Sequence, residues 1–178
     1  MFKKSIILFI TAVFLVISFS TVSAASAAQL NSVTYAISGD SFEIDTLELE
    51  PEFLIDNRHP AELNLAFDGD DLYFAADMGL NMLKEENFRM DIHLMLTSEV
   101  DGLDFGRAIG LNAETLNNDI NFFWQTYYFI DDDLNDHAFY KGGANYRIGP
   151  RSDLEISVAN QYWDLDNDVI KLGIKVKL

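Results

Sequence analysis

Cysteine is absent from all 178 residues, which excludes disulfides and thiolate metal sites. Lysine and arginine are scarce, 12 against 29 aspartates and glutamates, for a net charge of −17. Nucleic acid phosphates need a cationic surface, so nucleic acid is excluded as a partner. Docking on anionic headgroups by charge alone is excluded for the same reason. Helical periodicity is missing too: after about residue 29, no run of about 11 residues carries an apolar stripe repeating every 3.6 positions. What is abundant is apolar: 49% of residues are hydrophobic and 13% aromatic. That is too much for a disordered acidic chain.

Lys3 and Lys4 precede an apolar run, Ser5 to Phe19, and then Val22-Ser23-Ala24 and Ala25-Ser26-Ala27. This is the pattern of a secretory signal peptide over residues 1–27, with cleavage expected after Ala24 or Ala27. The run is short for a helical span of about 20 residues. A single domain, 28–178, is expected to remain. Loss of the two lysines takes its net charge to −19.

From there the period is two. Ala61, Leu63, Leu65 and Phe67 share one face; Asp68-Gly69-Asp70-Asp71 reverses the chain; Leu72, Phe74, Ala76, Met78, Leu80 and Met82 resume the pattern. Asp-Gly between alternating runs is a strong hairpin signal. Similar runs start at Phe88, Leu103, Ile120, Ala138, Asp153 and Val169, where the last alternates to Leu178. Arg107 interrupts its apolar face and suggests a bulge. Upstream, Val33 to Ile37 and Ser41 to Glu50 read as a first hairpin whose second strand changes phase between Ile44 and Leu47. Glu50 to Pro60 reads as the longest connection. The expectation is all-β: an antiparallel up-and-down meander of about ten strands, or eight without the first hairpin, closed into a barrel so that no edge is left bare.

A soluble barrel keeps its apolar face inside; a membrane barrel reverses this. The second face decides. It holds Gly79, Asn81, Gly106, Ala108, Gly110, Asn112, Gly143 and Asn145, with sparse charges of both signs. Small, amide and paired charged residues suit a crowded lumen. The lumen-facing candidates are Asp77, Arg89, Asp91, His93, Asp104, Lys141, Arg147, Glu155, Lys171 and Lys175. Tyr128, Tyr140, Tyr146 and Tyr162 fall near strand ends, where interfacial aromatic girdles lie. With an even strand number, Asp68 to Asp71, Ser98 to Gly102, Asp131 to His137 and Asp164 to Asp168 share one end, and the aspartates gather there.

On these features the chain resembles the small outer-membrane β-barrel proteins of diderm bacteria. The terminal pattern polar-x-Gly-x-x-apolar-x-apolar is filled by Lys171, Gly173, Val176 and Leu178, although such barrels usually end on Phe or Trp. The resemblance implies an outer-membrane location, lipid as the solvent of the outer face, and recognition of that terminus by the barrel-assembly machinery.

Chemistry is sparse. His59 and His137 fall in expected connections. His93 has Asp91 near it but no serine that spacing would place beside it, so no catalytic residue is assigned. Asp164, Asp166 and Asp168 match the start of a calcium loop, but Val169 stands where glycine is needed and Lys175 where glutamate is needed. Weak contact of divalent cations with the acidic loops is the most this supports; no metal site or cofactor is assigned. The expected function is a non-enzymatic outer-membrane barrel with a structural, surface-interacting or narrow porin-like role in the cell envelope. The competing class is a secreted or periplasmic soluble barrel holding an apolar ligand inside.

Overall fold

Ten stretches of alternating side chains become ten strands, and each adjacent pair is antiparallel. The computed structural model describes residues 28–39, 44–56, 58–98, 105–117, 119–131 and 137–178. The expected leader and Asp104 lie outside the described residues. The strands are β1 (Ala28–Gly39), β2 (Thr46–Ile55), β3 (His59–Asp68), β4 (Asp71–Lys84), β5 (Phe88–Thr97), β6 (Gly106–Thr115), β7 (Ile120–Phe129), β8 (Ala138–Gly149), β9 (Ser152–Gln161) and β10 (Asp164–Lys177). They form one closed barrel in meander order. An even strand number makes β1 and β10 antiparallel, so the sheet closes on itself. Ser32 faces Lys177 and Gly39 faces Ile170 across that seam.

The first hairpin therefore belongs to the sheet, and the count is ten. Its change of phase marks the loop-to-strand boundary: Ile44 lies before β2, exposed, and regular alternation starts at Thr46. Glu50 to Pro60 is not a connection. Leu54 pairs with Pro60 and Ile55 with His59. Past Ile55, Asp56 has φ 52°, and the Arg58 N–H donates to the Ile55 carbonyl at 3.0 Å. In the next hairpin Asp68 pairs with Asp71, which leaves Gly69-Asp70 as the tip. Gly69 has φ 60°. Glycine at the first central position is the type II′ solution, which matches the twist of the flanking strands.

Two further expectations are corrected. There is no bulge at Arg107: β5 and β6 stay in register from Phe88–Thr115 to Thr97–Gly106. The guanidinium stays on the outside, and Nη2 meets Asp131 Oδ1 at 2.6 Å. Nor is Asp164 to Asp168 a hairpin tip. The tip is Tyr162-Trp163, and the aspartates lie in β10, where the register with β9 shifts between Asp164 and Asp168. Asn160 pins the shifted segment, donating from Nδ2 to the carbonyls of Ala138 at 2.8 Å and Leu165 at 3.0 Å.

The outside is apolar. Ile109, Leu111, Phe122, Trp124, Ile156, Val158, Ile170, Leu172 and Ile174 are exposed, as is the rest of an apolar band running from β4 to β10. On β1 to β3, the outward Val33, Leu49 and Phe67 are buried. Tyr128 and Tyr146 stand outward near opposite ends of the barrel, 60% and 53% exposed. Tyr162 does not join them: it is turned inward and buried.

Candidate functional site: a charged lumen under an aromatic plug

Side chains of one parity on every strand meet inside the barrel, and the lumen they fill is divided. Its end nearest the Tyr162-Trp163 turn is aromatic. Trp163 stacks on Tyr73 at 4.8 Å and meets Tyr162 edge-on at 4.6 Å. Phe139 packs between Tyr162 and Tyr127. Ala66, Ala75, Met95, Ala108, Phe129 and Leu165 complete this buried cluster. Tyr127 fits because its neighbour is Gly110: a Cβ there would lie 2.5 Å from the Tyr127 ring and from the Thr126 carbonyl.

Below the plug the lumen is ionic. Lys171 Nζ lies 2.5 Å from Glu48 Oε2, and both are buried. Ser38 Oγ and Asn64 Nδ2 also donate to Glu48. Lys141 sits between Glu50 at 2.8 Å and Glu155 at 2.9 Å, with its ammonium 5.6 Å from the centre of the Phe123 ring. Lys175 pairs with Glu52, and Lys177 with Asp153. Arg89 Nε lies 2.8 Å from Asp91, which also accepts from Asn81. Such pairing is what permits buried charge at all, because an unpaired ion in a low-dielectric interior costs several kcal/mol.

Asp77 joins the two halves. Its Oδ2 accepts the Tyr127 hydroxyl and lies 3.1 Å from His93 Nδ1, and its Oδ1 accepts the Glu62 backbone N–H. Among the described residues no three His, Asp or Glu side chains converge as a metal ion requires. Asp168 instead accepts a hydrogen bond from the Tyr140 hydroxyl at 2.5 Å.

Of the residues expected in the lumen, Asp77, Arg89, Asp91, His93, Lys141, Glu155, Lys171 and Lys175 are brought together. Arg147 has the inward parity but is exposed at the end of β8, opposite Asp153. Sequence reasoning missed Glu48, Glu50, Glu52, Glu62, Glu114 and Asp153. Their signal was in plain view: Glu48, Glu50 and Glu52 alternate with Leu47, Leu49 and Phe53, and three inward lysines need partners. Of the terminal pattern, Lys171 and Gly173 face in. The seam pairs Val176 with Val33, and the Leu178 N–H donates to the Asn31 carbonyl at 3.0 Å.

A cavity of about 270 Å³ occupies the ionic half. Asn31, Lys177 and Leu178 line it, so it opens at the end where β1 begins and β10 finishes. Toward the plug lies a hollow of about 30 Å³, between Glu62, Asp77, Tyr127, Lys141 and Tyr162. That is room for no more than a water or two.

A closed antiparallel meander, apolar outside and polar within, is the architecture of an outer-membrane β-barrel. No family model matches the chain, and no curated protein matches it. Among solved structures, a de novo designed transmembrane β-barrel gives a TM-score of 0.39 at 10% identity, covering 86% of this chain and 97% of its own. Ail, the attachment invasion locus protein of Yersinia pestis, gives 0.32 at 11% identity, covering 85% of this chain and 97% of its own. The barrel described above rests on its own hydrogen-bonded ladder and takes no weight from these likenesses.

Proposed function

We propose that this chain is a non-enzymatic integral protein of a bacterial outer membrane, with a structural or surface-interacting role and a lumen that does not conduct. One observation carries the reading: the inverted barrel. Ile170, Phe122 and Tyr128 are 64%, 61% and 60% exposed on the outside, whereas Glu48, Lys171 and Asp91 are at most 2% exposed within. Each such outward side chain, about half exposed, would forgo about half of the roughly 1.5–3 kcal/mol that full burial brings if it stood in water. Lipid supplies that burial. The soluble alternative needs an apolar cavity for its ligand; here the apolar end of the lumen is packed with rings, and the cavity is lined by charged groups. The aromatic plug and the ion pairs beneath it favour a closed barrel over a narrow pore.

Detergent dependence and heat-modifiable gel mobility test the membrane reading. Expected are faster migration before boiling than after, and precipitation on detergent removal. A protein that stays monomeric in plain buffer refutes it. Planar-bilayer recording tests closure. The wild type should be silent, and Tyr162→Ala with Trp163→Ala should introduce conductance steps. Steps from the wild type remove the closed reading.

A further inference from the structure

One end of the barrel is closed by a turn that departs from its own strand, and a single side chain bridges the gap it leaves. The β8–β9 ladder ends at Lys141–Ala159, although β8 itself runs on to Ala138. Beyond Ala159 the chain turns into the lumen, where Tyr162 and Trp163 are buried. The edge of β8 thereby loses its backbone partner. The Asn160 side chain replaces it: Oδ1 accepts the Tyr140 N–H at 2.8 Å, and Nδ2 donates to the Ala138 carbonyl at 2.8 Å. A carboxamide offers the same donor and acceptor as a peptide group, so it can substitute for the missing stretch of strand. Nδ2 also donates to the Leu165 carbonyl at 3.0 Å, on the far side of the turn. Asn160 shares the parity of the outward, exposed Ile156 and Val158, yet it is 2% exposed.

The same chain has a second place to go. On β10, Leu165, Asp166 and Asn167 lie between Asp164 and Asp168, whose partners Gln161 and Asn160 are adjacent on β9. Those three surplus residues are slack in the hairpin. Continuing the β8–β9 register sets Tyr140 opposite Asn160 and Ala138 opposite Tyr162. The β9 backbone then takes over both β8 groups. Tyr162 regains the outward parity of Val158, at a rim where aromatic side chains are at home between lipid and water. The inward position is held instead by the rings on Tyr73 and Phe139, by the Gln161 amide donating to Thr46 Oγ1 at 3.2 Å, and by Asn160. We propose that the β9–β10 turn is a lid with two seats, inward over the lumen and outward along β8, and that Asn160 is the latch of the inward seat. The inference rests on the closed-lumen reading and adds that the closure is reversible.

Trp163 reports the lid position. The chain has two tryptophans, and Trp124→Phe leaves Trp163 alone. Its quenching by acrylamide, a neutral probe that nearby aspartates do not repel, is measured on the full-length barrel in detergent. Expected is weak quenching with Asn160 in place. Asn160→Ala should raise the fraction of accessible Trp163 about tenfold, as for loss of buried hydrogen bonds that only the inward seat makes. Asn160→Ser keeps a hydroxyl that can serve one β8 group and should fall between. Asn81→Ala removes an amide that donates to Asp91 in the ionic half, and should leave Trp163 protected. Unboiled gel mobility shows that each variant is folded; if Asn160→Ala is not, Asn160→Ser carries the test. Unchanged quenching in the folded Asn160 variants, or an equal rise in Asn81→Ala, overturns the latch. Bilayer recording keeps the two ideas apart. A conducting wild type defeats the closed reading itself, whereas a silent wild type with Trp163 protected in every variant leaves closure standing and refutes only the lid.

Discussion

Lys171→Met measures what a lumen ion pair is worth. Glu48 is completely buried and the Lys171 side chain is 3% exposed, with N and O 2.5 Å apart. Removing the ammonium leaves a carboxylate served by Ser38 at 2.8 Å and Asn64 at 3.2 Å. Breaking one side of a buried pair costs about 3–5 kcal/mol, and the two remaining donors place this case near the lower end. That is a factor of about 10² in the ratio of folded to unfolded protein. Adding Glu48→Gln removes the stranded charge and should recover most of the loss, because exchanging a whole buried pair for uncharged groups is often nearly neutral. Lys177→Met is the control. Lys177 is 37% exposed beside Asp153, and its loss should cost about 0–1 kcal/mol. Urea titration of the embedded barrel, followed by tryptophan fluorescence and gel mobility, reads all three at unchanged slope. If Lys171→Met costs no more than Lys177→Met, or the double variant is no more stable than the single, the lumen is wet and the reasoning fails.

Glycine substitutions should separate inside from outside. Gly110→Val drives a Cβ into the Thr126 carbonyl and the Tyr127 ring, both 2.5 Å away, and should cost about 1–3 kcal/mol or block folding. At Gly142 the Cβ meets only the Trp124 ring, which can swing outward, so Gly142→Ala should cost less in the same titration. Ile156→Arg places a charge on the outer face at mid-strand, and vesicle insertion should lose about 2–4 kcal/mol; no loss contradicts lipid contact. The Asp131 carboxyl is held below its ordinary value of 3.8, first by the Arg107 side-chain hydrogen bonds and then by the Arg107 backbone N–H. A lowered value means that its contribution to stability is present above about pH 3.8 and lost as pH falls through the folded value. Arg107→Leu should move it up toward 3.8 in a carbon-13 carboxyl titration, and a fixed value would refute the pairing. Deleting Val176 to Leu178 removes part of the β1–β10 seam and the Leu178 N–H bond to Asn31; the chain should then fail to acquire heat-modifiable mobility, and normal insertion would count against closure by that strand.

The middle of the barrel was legible because two signals coincided there. β5, β6 and β7 keep their register without a slip, β4 shifts once, between Asn81 and Leu83, and Gly69 announces a two-residue turn. At the two ends, side-chain chemistry pointed one way and packing another. Ile44 is apolar yet sits in a loop, so the phase change discredited a strand that is regular from Thr46 onward, and Glu48, Glu50 and Glu52 were lost with it. Asp164 to Asp168 has the composition of a turn, while Tyr162-Trp163 has that of a strand. The fold inverts them, because burying two aromatic rings on Tyr73 and Phe139 outweighs the turn preference of exposed aspartates. Acidity misled in the same sense. Carboxylates were assigned to solvent-facing turns, although inward lysines at Lys141, Lys171 and Lys175 had no other partners.

The division of the lumen follows from how a ten-stranded barrel is filled. Its interior is wider than one layer of small side chains, so space must be taken by long charged residues or by rings. Long cations need carboxylates of matching reach, and β2 supplies Glu48, Glu50 and Glu52 to Lys171, Lys141 and Lys175. Rings need a thin opposing backbone: Gly110 lies beneath Tyr127, and Gly79 lies beneath His93. The two modes cannot mix freely, because a carboxylate among the rings would lose its partners. Asp77 sits where they meet and touches both sides, accepting from the Tyr127 hydroxyl of the plug and lying 3.1 Å from His93 Nδ1 of the ionic half. That residue therefore fixes the height at which the barrel closes, and the cavity beneath it is the space that neither mode fills.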